Sequence, residues 1–342
     1  MCWKSPSICV CGGGNIAHSL VAAFGRFGDV LCLTRRPGEW FHNLSFRVGF
    51  GSVMETKGKV LAVSDPEIVS GADVVVIALP RFAVYDELNR IEPFLREGQA
   101  VVFIPAPAGL DDWIPRLARR TIEVVAFQRV PYVARIETYG RSVWLGDVRQ
   151  VNRLAISDNS RKDHWKDFFE RYIGGHVEFL NSFLTFTFSN SNPLLHPARL
   201  VTLLEGGNGG VYRKCPLFYA EWTIRASELY IQADREMKDA FEMYSKSAAM
   251  SDYESALAHY ESADAIQMTE KIRSIPSLKR ILAPWKAFKT GEWGPDYNSR
   301  YFTEDVPYGT KVIQQYARKV NVSTPTIDFF VDSIKEVAKV NQ

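Results

Sequence analysis

The chain is poor in the features that would place it in a bilayer, a disulfide scaffold or a nucleic-acid complex. Within its 342 residues no apolar run approaches the length that spans a membrane, so no membrane partner is expected. Cysteine occurs five times, at Cys2, Cys9, Cys11, Cys32 and Cys215, an odd number without C-x-x-C spacing. That argues against a disulfide framework and a zinc site, and no metal is expected. Cys9, Cys11 and Cys32 fall in apolar segments, where a thiol behaves as a small hydrophobe. The formal net charge is only +2, with Lys and Arg interleaved with Asp and Glu, so nucleic acid is not an expected partner. Low-complexity tails and internal repeats are missing too. The first strand starts near Ser7, which leaves no room for a signal peptide, and a reducing, cytoplasmic location is expected.

What is present is an ordinary globular composition, 46% hydrophobic and 23% charged, in a chain longer than one core usually organises. The apolar run Ser7–Cys11 leads through three glycines into a helical pattern with Ile16, Leu20, Ala23 and Phe24 on one face. Similar runs recur at Val30–Thr34, Val74–Leu79, Ala100–Ile104 and Val124–Phe127, with helical patterns at Phe82–Leu95 and Leu110–Arg119. Runs without polar alternation imply strands covered on both faces, hence a parallel, doubly wound sheet. Short β-like pieces such as Ser142–Leu145 and a helix over Lys162–Tyr172 close this half. Beyond Asn181 the strand signal disappears, and helical segments at Phe218–Lys246 and Tyr253–Ile272 take over, with "EGGNGGVYRKCP" as a loop. The expectation is α/β plus all-α: a doubly wound Rossmann domain over 1–181 and a mostly helical domain over 182–342.

"ICVCGGGNIAHSL" fits G-x-G-x-x-A at Gly12, Gly14 and Ala17, between the first strand and the first helix. Gly12 permits the tight turn, Gly14 lets the backbone approach a pyrophosphate, and Ala17 lets helix and strand pack closely. Gly13, Asn15 and Ile16 complete the segment, whose helix N-terminus offers N–H groups to phosphates. A nicotinamide cofactor is therefore expected. Where an NAD-selective enzyme carries an acid, the end of the second strand reads Thr34, Arg35, Arg36. Arginine attracts a 2′-phosphate, so NADP(H) is favoured, with NAD(H) as the alternative. Leu79 and Pro80, leaving the sheet at a C-terminal strand edge, are further expected cofactor neighbours.

Hydride transfer to a C=O or C=N group needs a proton donor, and a carboxylate-bearing substrate needs a fixed cation. His196 stands directly before Pro197, a placement that predicts a helix interruption at the histidine. In "NSRYFTEDVPYG", Arg300 and Asp305 lie five positions apart and precede the turn signal Pro307, Tyr308, Gly309. If Asp305 accepts a hydrogen bond from His196, it fixes the imidazole tautomer, and Arg300 can then hold a substrate carboxylate.

Five segments, "CVCGGGNIAHSL", "SGADVVVIALPRFA", "LLHPARL", "CPLFYAEWT" and "NSRYFTEDVPYG", resemble the octopine dehydrogenase branch of the opine dehydrogenase family. The resemblance runs the length of the chain. It implies a dinucleotide-binding domain joined to a helical, 6-phosphogluconate dehydrogenase-like C-terminal domain, and an NAD(P)H-dependent reductive condensation. An amino acid and a 2-oxo acid such as pyruvate would form an imine that accepts hydride. By motif position it implies His196 and Asp305 as the catalytic pair and Arg300 as the carboxylate-binding arginine. It also implies substrate contacts at Gln128 and Arg129, which stand where octopine enzymes have an acidic residue and a threonine; Pro107 replaces a polar residue. Those departures favour an acidic or neutral amino acid over a cationic one. A homodimer is the oligomer considered. Two rival readings are a 2-oxo acid reductase of the ketopantoate reductase or hydroxyacid dehydrogenase type, which generally uses a lysine on a second-domain helix, and a non-catalytic NADP(H) sensor.

Overall fold

A computed structural model describes residues 6–244 and 253–340. The chain divides into two compact units, Met1–Phe186 and Thr187–Gln342.

The first unit is built from β1 (Ile8–Cys11), α1 (Asn15–Gly25), β2 (Val30–Leu33), β3 (Ser45–Val48), β4 (Met54–Glu55), β5 (Val60–Val63), β6 (Val74–Ile77) and α2 (Arg81–Ile91). β7 (Ala100–Phe103), α3 (Ile114–Ala118), β8 (Glu123–Phe127), β9 (Tyr132–Thr138), β10 (Ser142–Val148), β11 (Val151–Ile156), α4 (Lys162–Tyr172) and β12 (His176–Phe179) follow. Its main sheet has the order β12-β11-β8-β7-β6-β1-β2-β5. All its pairings are parallel except β11 with β8. The apolar runs are continuous because both faces are covered. Val74 and Val76 of β6 join a core with Ala17, Leu20 and Phe24 of α1, while Val75 and Ile77 join one with Val84 and Leu88 of α2. The chain moves outward from β1 to β5 and then returns to β6 on the other side of β1. This reversal leaves the C-terminal ends of β1 and β6 at the switch point where open sheets bind ligands.

The β-like pieces are more than was expected of them. With β3 and β4, β9 and β10 form a second, four-stranded sheet of order β4-β3-β10-β9. Along β9, Tyr132 and Ala134 are buried while Val133 and Arg135 are exposed, and the buried face packs on α1. Helix Phe82–Leu95 stops as α-helix at Ile91 and continues as a 3-10 turn over Glu92–Phe94, and the segment Leu110–Arg119 breaks into a 3-10 turn and the short α3.

After α5 (Leu184–Phe188) come α6 (Asn192–Glu205), α7 (Ile224–Tyr244), α8 (Ala256–His259), α9 (Ala265–Ser274), β13 (Trp285–Ala287) and β14 (Trp293–Pro295). A π-helical segment, Tyr301–Thr310, then runs into α10 (Lys311–Lys319) and α11 (Pro325–Val340). Helices α6 and α7 form the centre: α6 packs on α7, α11 and the π-helical segment, and α7 on α9, α10 and α11. Buried Glu236 of α7 caps α11 from a distance, its carboxylate accepting from the N–H groups of Thr326 (2.8 Å) and Ile327 (3.0 Å).

Three expectations need correction here. The helical unit does contain strand, since β13 and β14 pair antiparallel. Segment Phe218–Lys246 becomes helical only at Ile224, and its end at Lys246 lies outside the described residues. Segment Tyr253–Ile272 is two helices, because Asp264 accepts from the N–H groups of Ile266 and Gln267 and starts α9 afresh.

Candidate functional site

In the first unit the glycine turn joins β1 to α1 at the switch point. Gly12 has φ +144°, and a Cβ there would lie 2.5 Å from the Ala78 carbonyl oxygen, so only glycine fits. That close approach brings Gly12 against the exit of β6, where Leu79 and Pro80 follow. A Cβ at Gly13 would meet the Tyr139 hydroxyl at 2.5 Å and Thr34 Oγ1 at 2.9 Å. At Gly14, by contrast, nothing lies within 4 Å. The residue is exposed at the start of α1, whose first turn has no acidic residue and no side-chain cap. This is an open cradle at a positive helix end, and it fits a dinucleotide pyrophosphate. Ala17 is buried beside Gly12 and Ile16 is half-buried on the same core. The Asn15 side chain is engaged by the protein itself, its Oδ1 accepting from the Ile136 N–H at 2.8 Å.

His18, one turn into α1, holds the cradle in place. Its Nε2 accepts from the Gly140 N–H at 2.9 Å, so the ring proton sits on Nδ1, which donates to the Gly14 carbonyl at 3.0 Å. Complete burial among Trp40 and Tyr139 pushes its pKa down to about 4. The β9–β10 hairpin is thereby tied to the turn at Asn15 and at His18. Thr34 is buried with its hydroxyl 3.4 Å from that of Tyr139, and Arg35 is exposed. The Arg36 guanidinium stacks 3.9 Å from the Tyr139 ring centroid and pairs with Glu39 at 3.5 Å. Gln128 and Arg129 follow β8 on the same C-terminal sheet edge, three strands along from β1. The Gln128 N–H is bonded to Arg153 and Arg129 is exposed. These two are not brought against the glycine turn.

In the second unit His196 and Asp305, 109 positions apart, meet: Nδ1 lies 2.7 Å from Asp305 Oδ2. The expected helix interruption does not occur, and α6 runs through Pro197. A proline inside a helix removes the N–H that would bond the carbonyl four residues back, at a cost of about 3 kcal/mol. Here that carbonyl belongs to Pro193, and the buried Thr310 hydroxyl donates to it at 2.5 Å. The supplied donor lets the helix continue and fastens α6 to the segment carrying Asp305. The turn expected at Pro307, Tyr308 and Gly309 is likewise absent. The chain there is π-helical, and the wider ring, with the Lys311 N–H reaching the Val306 carbonyl, tolerates a proline that cannot donate.

Around the imidazole, Tyr219 places its hydroxyl 3.0 Å from His196 Nε2, and the Tyr301 ring centroid lies 4.4 Å from that of His196. Tyr219 is carried on a loop fixed by Arg199, which is buried one turn after His196. Its Nε donates to the Phe218 carbonyl at 3.0 Å and its Nη2 to that of Leu217 at 3.5 Å. Burial pushes the Arg199 pKa down to about 10, which still leaves a cation at neutral pH. Arg300 does not pair with Asp305. Its Nε donates to Glu304 at 2.5 Å, and the side chain is 79% exposed, which leaves its outer face turned to solvent. Sequence reasoning missed Tyr219, Thr310, Glu304 and His18. The clue to Thr310 was Pro197 itself, since a mid-helix proline demands an outside donor for Pro193.

With Asp305 on Nδ1, neutral His196 keeps its proton there and offers Nε2 as a base. When protonated, it gives that proton back at Nε2 while the carboxylate holds the charge. The arrangement is an oriented acid–base with a cation nearby in sequence. No lysine stands in α6 (Asn192–Glu205), which disfavours the 2-oxo acid reductase reading.

Comparison with known proteins matches residues 179–338 to the family described as NAD/NADP octopine/nopaline dehydrogenase, alpha-helical domain. Residues 7–107 match NADP oxidoreductase coenzyme F420-dependent. Octopine dehydrogenase of Pecten maximus is 26% identical, over 94% of this chain and 87% of that protein. Tauropine dehydrogenase of Arabella iricolor is 24% identical, over 94% and 89%. A solved structure of octopine dehydrogenase with NADH and L-arginine superimposes with a TM-score of 0.84 at 26% identity, covering 97% of this chain and 89% of that one. The paired Rossmann-like and helical halves agree with that architecture, and no helix among the described residues is long and apolar enough to cross a membrane. Along nearly its whole length the chain is thus similar to opine dehydrogenases, NAD(P)-dependent oxidoreductases acting on CH–NH bonds.

Proposed function

We propose that the protein condenses an amino acid with a 2-oxo acid, pyruvate being the first candidate, and reduces the resulting imine to a secondary-amine dicarboxylate. The observation that carries this reading is the 2.7 Å contact of His196 Nδ1 with Asp305. His196 acts as general acid and base. It withdraws a proton from the attacking ammonium, helps water leave the carbinolamine, and supplies the proton that the reduced nitrogen keeps. Asp305 holds the tautomer and stabilises the imidazolium. Arg300, anchored through Nε by Glu304, turns the rest of its guanidinium outward as a clamp for a substrate carboxylate. When bound, the nicotinamide supplies hydride. The pyrophosphate would rest on Gly12, Gly13, Gly14 and the N-terminus of α1 formed by Asn15, Ile16 and Ala17, beside Leu79 and Pro80.

The finer choices follow from charge. Arg35 and Arg36 beyond Thr34 favour NADP(H), with Tyr139 supporting the Arg36 guanidinium from below. Burial and, after it, repulsion from Arg129 lower the Arg149 pKa, and the two arginines make that sheet edge cationic. With Gln128 beside it, this edge suits an acidic or neutral amino acid. The two-domain division expected near residue 181 would put cofactor and acid–base groups in separate domains, and a homodimer in the cytoplasm remains the proposed setting.

The test is consumption of NADPH with 2-oxo acids and the common amino acids, supplied together and singly. An absolute need for both cosubstrates supports the reading. Reduction of a 2-oxo acid alone, at a rate that no amine raises, overturns it in favour of a 2-oxo acid reductase.

A further inference from the structure

Both ring nitrogens of His196 are occupied. Asp305 holds Nδ1 and the Tyr219 hydroxyl holds Nε2 at 3.0 Å, while the residue as a whole is 7% exposed. No ring nitrogen faces outward, yet the acid–base role argued above requires a proton to pass in and out of the pair once per turnover. The next atom along is the Tyr219 oxygen, and beside this pair stands Tyr301, whose ring centroid lies 4.4 Å from that of His196 and 4.9 Å from that of Phe218. Tyr219 is buried and Tyr301 half-buried, so the series His196, Tyr219, Tyr301 leads outward, ending one residue from Arg300.

We propose that the turnover proton enters and leaves the His196–Asp305 pair through the Tyr219 hydroxyl, with Tyr301 as its second hydrogen-bond partner. This rests on the opine dehydrogenase reading and adds a relay residue to it. A hydroxyl can serve both states of the imidazole. It donates to Nε2 when the ring is neutral, and it accepts from Nε2–H when the ring is protonated, turning its own proton toward Tyr301. Delivery of one proton breaks the His196 N–H and Tyr219 O–H bonds as a new Tyr219 O–H bond and the bond to the acceptor form. The tyrosine ends as it began. Burial, followed by repulsion from Tyr301 and Tyr260, pushes the Tyr219 pKa upward, so a free tyrosinate is disfavoured and the two transfers must be concerted. Arg199 has a part in this, since it fixes the loop that carries Tyr219.

The decisive variant is Tyr219→Phe, which keeps the ring and removes only the oxygen. The relay predicts kcat lowered about 30- to 100-fold, KM for both cosubstrates and Kd for NADPH within about threefold of wild type, and a larger solvent deuterium isotope effect on kcat. In cofactor-free protein labelled with 15N-histidine, the His196 Nε2 resonance should move in Tyr219→Phe while Nδ1 stays, with His196→Asn providing the assignment. Tyr301→Phe should lower kcat in the same direction by a smaller factor. If substrate instead displaces Tyr219 and meets Nε2 directly, Tyr219→Phe will match or exceed wild-type kcat. That result, or an unmoved Nε2 resonance, overturns the relay. A fully active Tyr219→Phe beside an inactive His196→Asn leaves the functional reading standing. An active His196→Asn removes the reading itself.

Discussion

The glycine turn and the His196 cluster are sites of opposite construction. The turn is made from consecutive backbone, Gly12 to Ala17, shaped by one left-handed φ and one close approach to the Ala78 carbonyl. Its neighbours from other parts of the chain, Thr34, Leu79 and Pro80, arrive because parallel strands share an edge. The cluster is made from side chains brought together over 109 positions and held by bonds that no periodicity announces, such as Thr310 to Pro193. A backbone site carries its signature in glycine spacing, whereas a side-chain site shows only residue types until packing fixes their distances.

This contrast can be broken most forcefully at the imidazole. His196→Asn should lower kcat about 1,000-fold, roughly 4 kcal/mol of barrier, while NADPH affinity measured by tryptophan fluorescence stays within about twofold. A parallel loss of cofactor affinity would show the two sites are not separable in this way.

His18 sharpens the comparison from the other side, because it is a side chain that serves a backbone site. Its folded pKa of about 4 lies below the ordinary 6.5, so between those values the unfolded chain takes up a proton that the folded chain refuses. Stability therefore rises with pH across that window. As pH falls through it, about 3 kcal/mol is lost. Urea midpoints of wild type and His18→Gln from pH 7 to pH 4 check this: the variant should be less stable at neutral pH and show a shallower acid limb. Equal acid limbs would refute the assignment.

The two glycines of the turn should also separate. Gly14→Val, where a Cβ meets nothing within 4 Å, should leave the melting temperature unchanged and weaken NADPH binding about 30-fold, roughly 2 kcal/mol. Gly12→Val should lower the melting temperature, because its Cβ would collide with backbone. The smallest effect is at Arg36. Arg36→Ala should reduce the preference for NADPH over NADH about tenfold, measured as a ratio of dissociation constants, since one exposed charge-assisted contact is worth about 1.4 kcal/mol. An unchanged ratio would return Arg36 to the role of a surface cation held by Glu39 and Tyr139.

Much of the first unit was readable because its signals are local. The Val runs of β6 and β7 had no polar alternation, and that alone implied a sheet covered on both faces. β3, β4 and β5 were not read, since strands of two to four residues that are partly exposed resemble loops. Pro197 and the Pro307–Gly309 pair were read as breaks, which is what proline does to an unassisted helix. The structure supplies the missing assistance, a hydroxyl donor in one case and a widened π-helical turn in the other.

By itself the sequence determined the glycine turn, the apolar strands around it, and the residue types needed for acid–base chemistry, because each depends on neighbours within a few positions. Only the tertiary structure decided that His196 and Asp305 meet, that Glu304 takes Arg300, and that Tyr219 closes the second ring nitrogen. Those outcomes depend on how α6 and the π-helical segment pack. A distance between side chains far apart in the chain is a property of the packed core, where all neighbours settle it together.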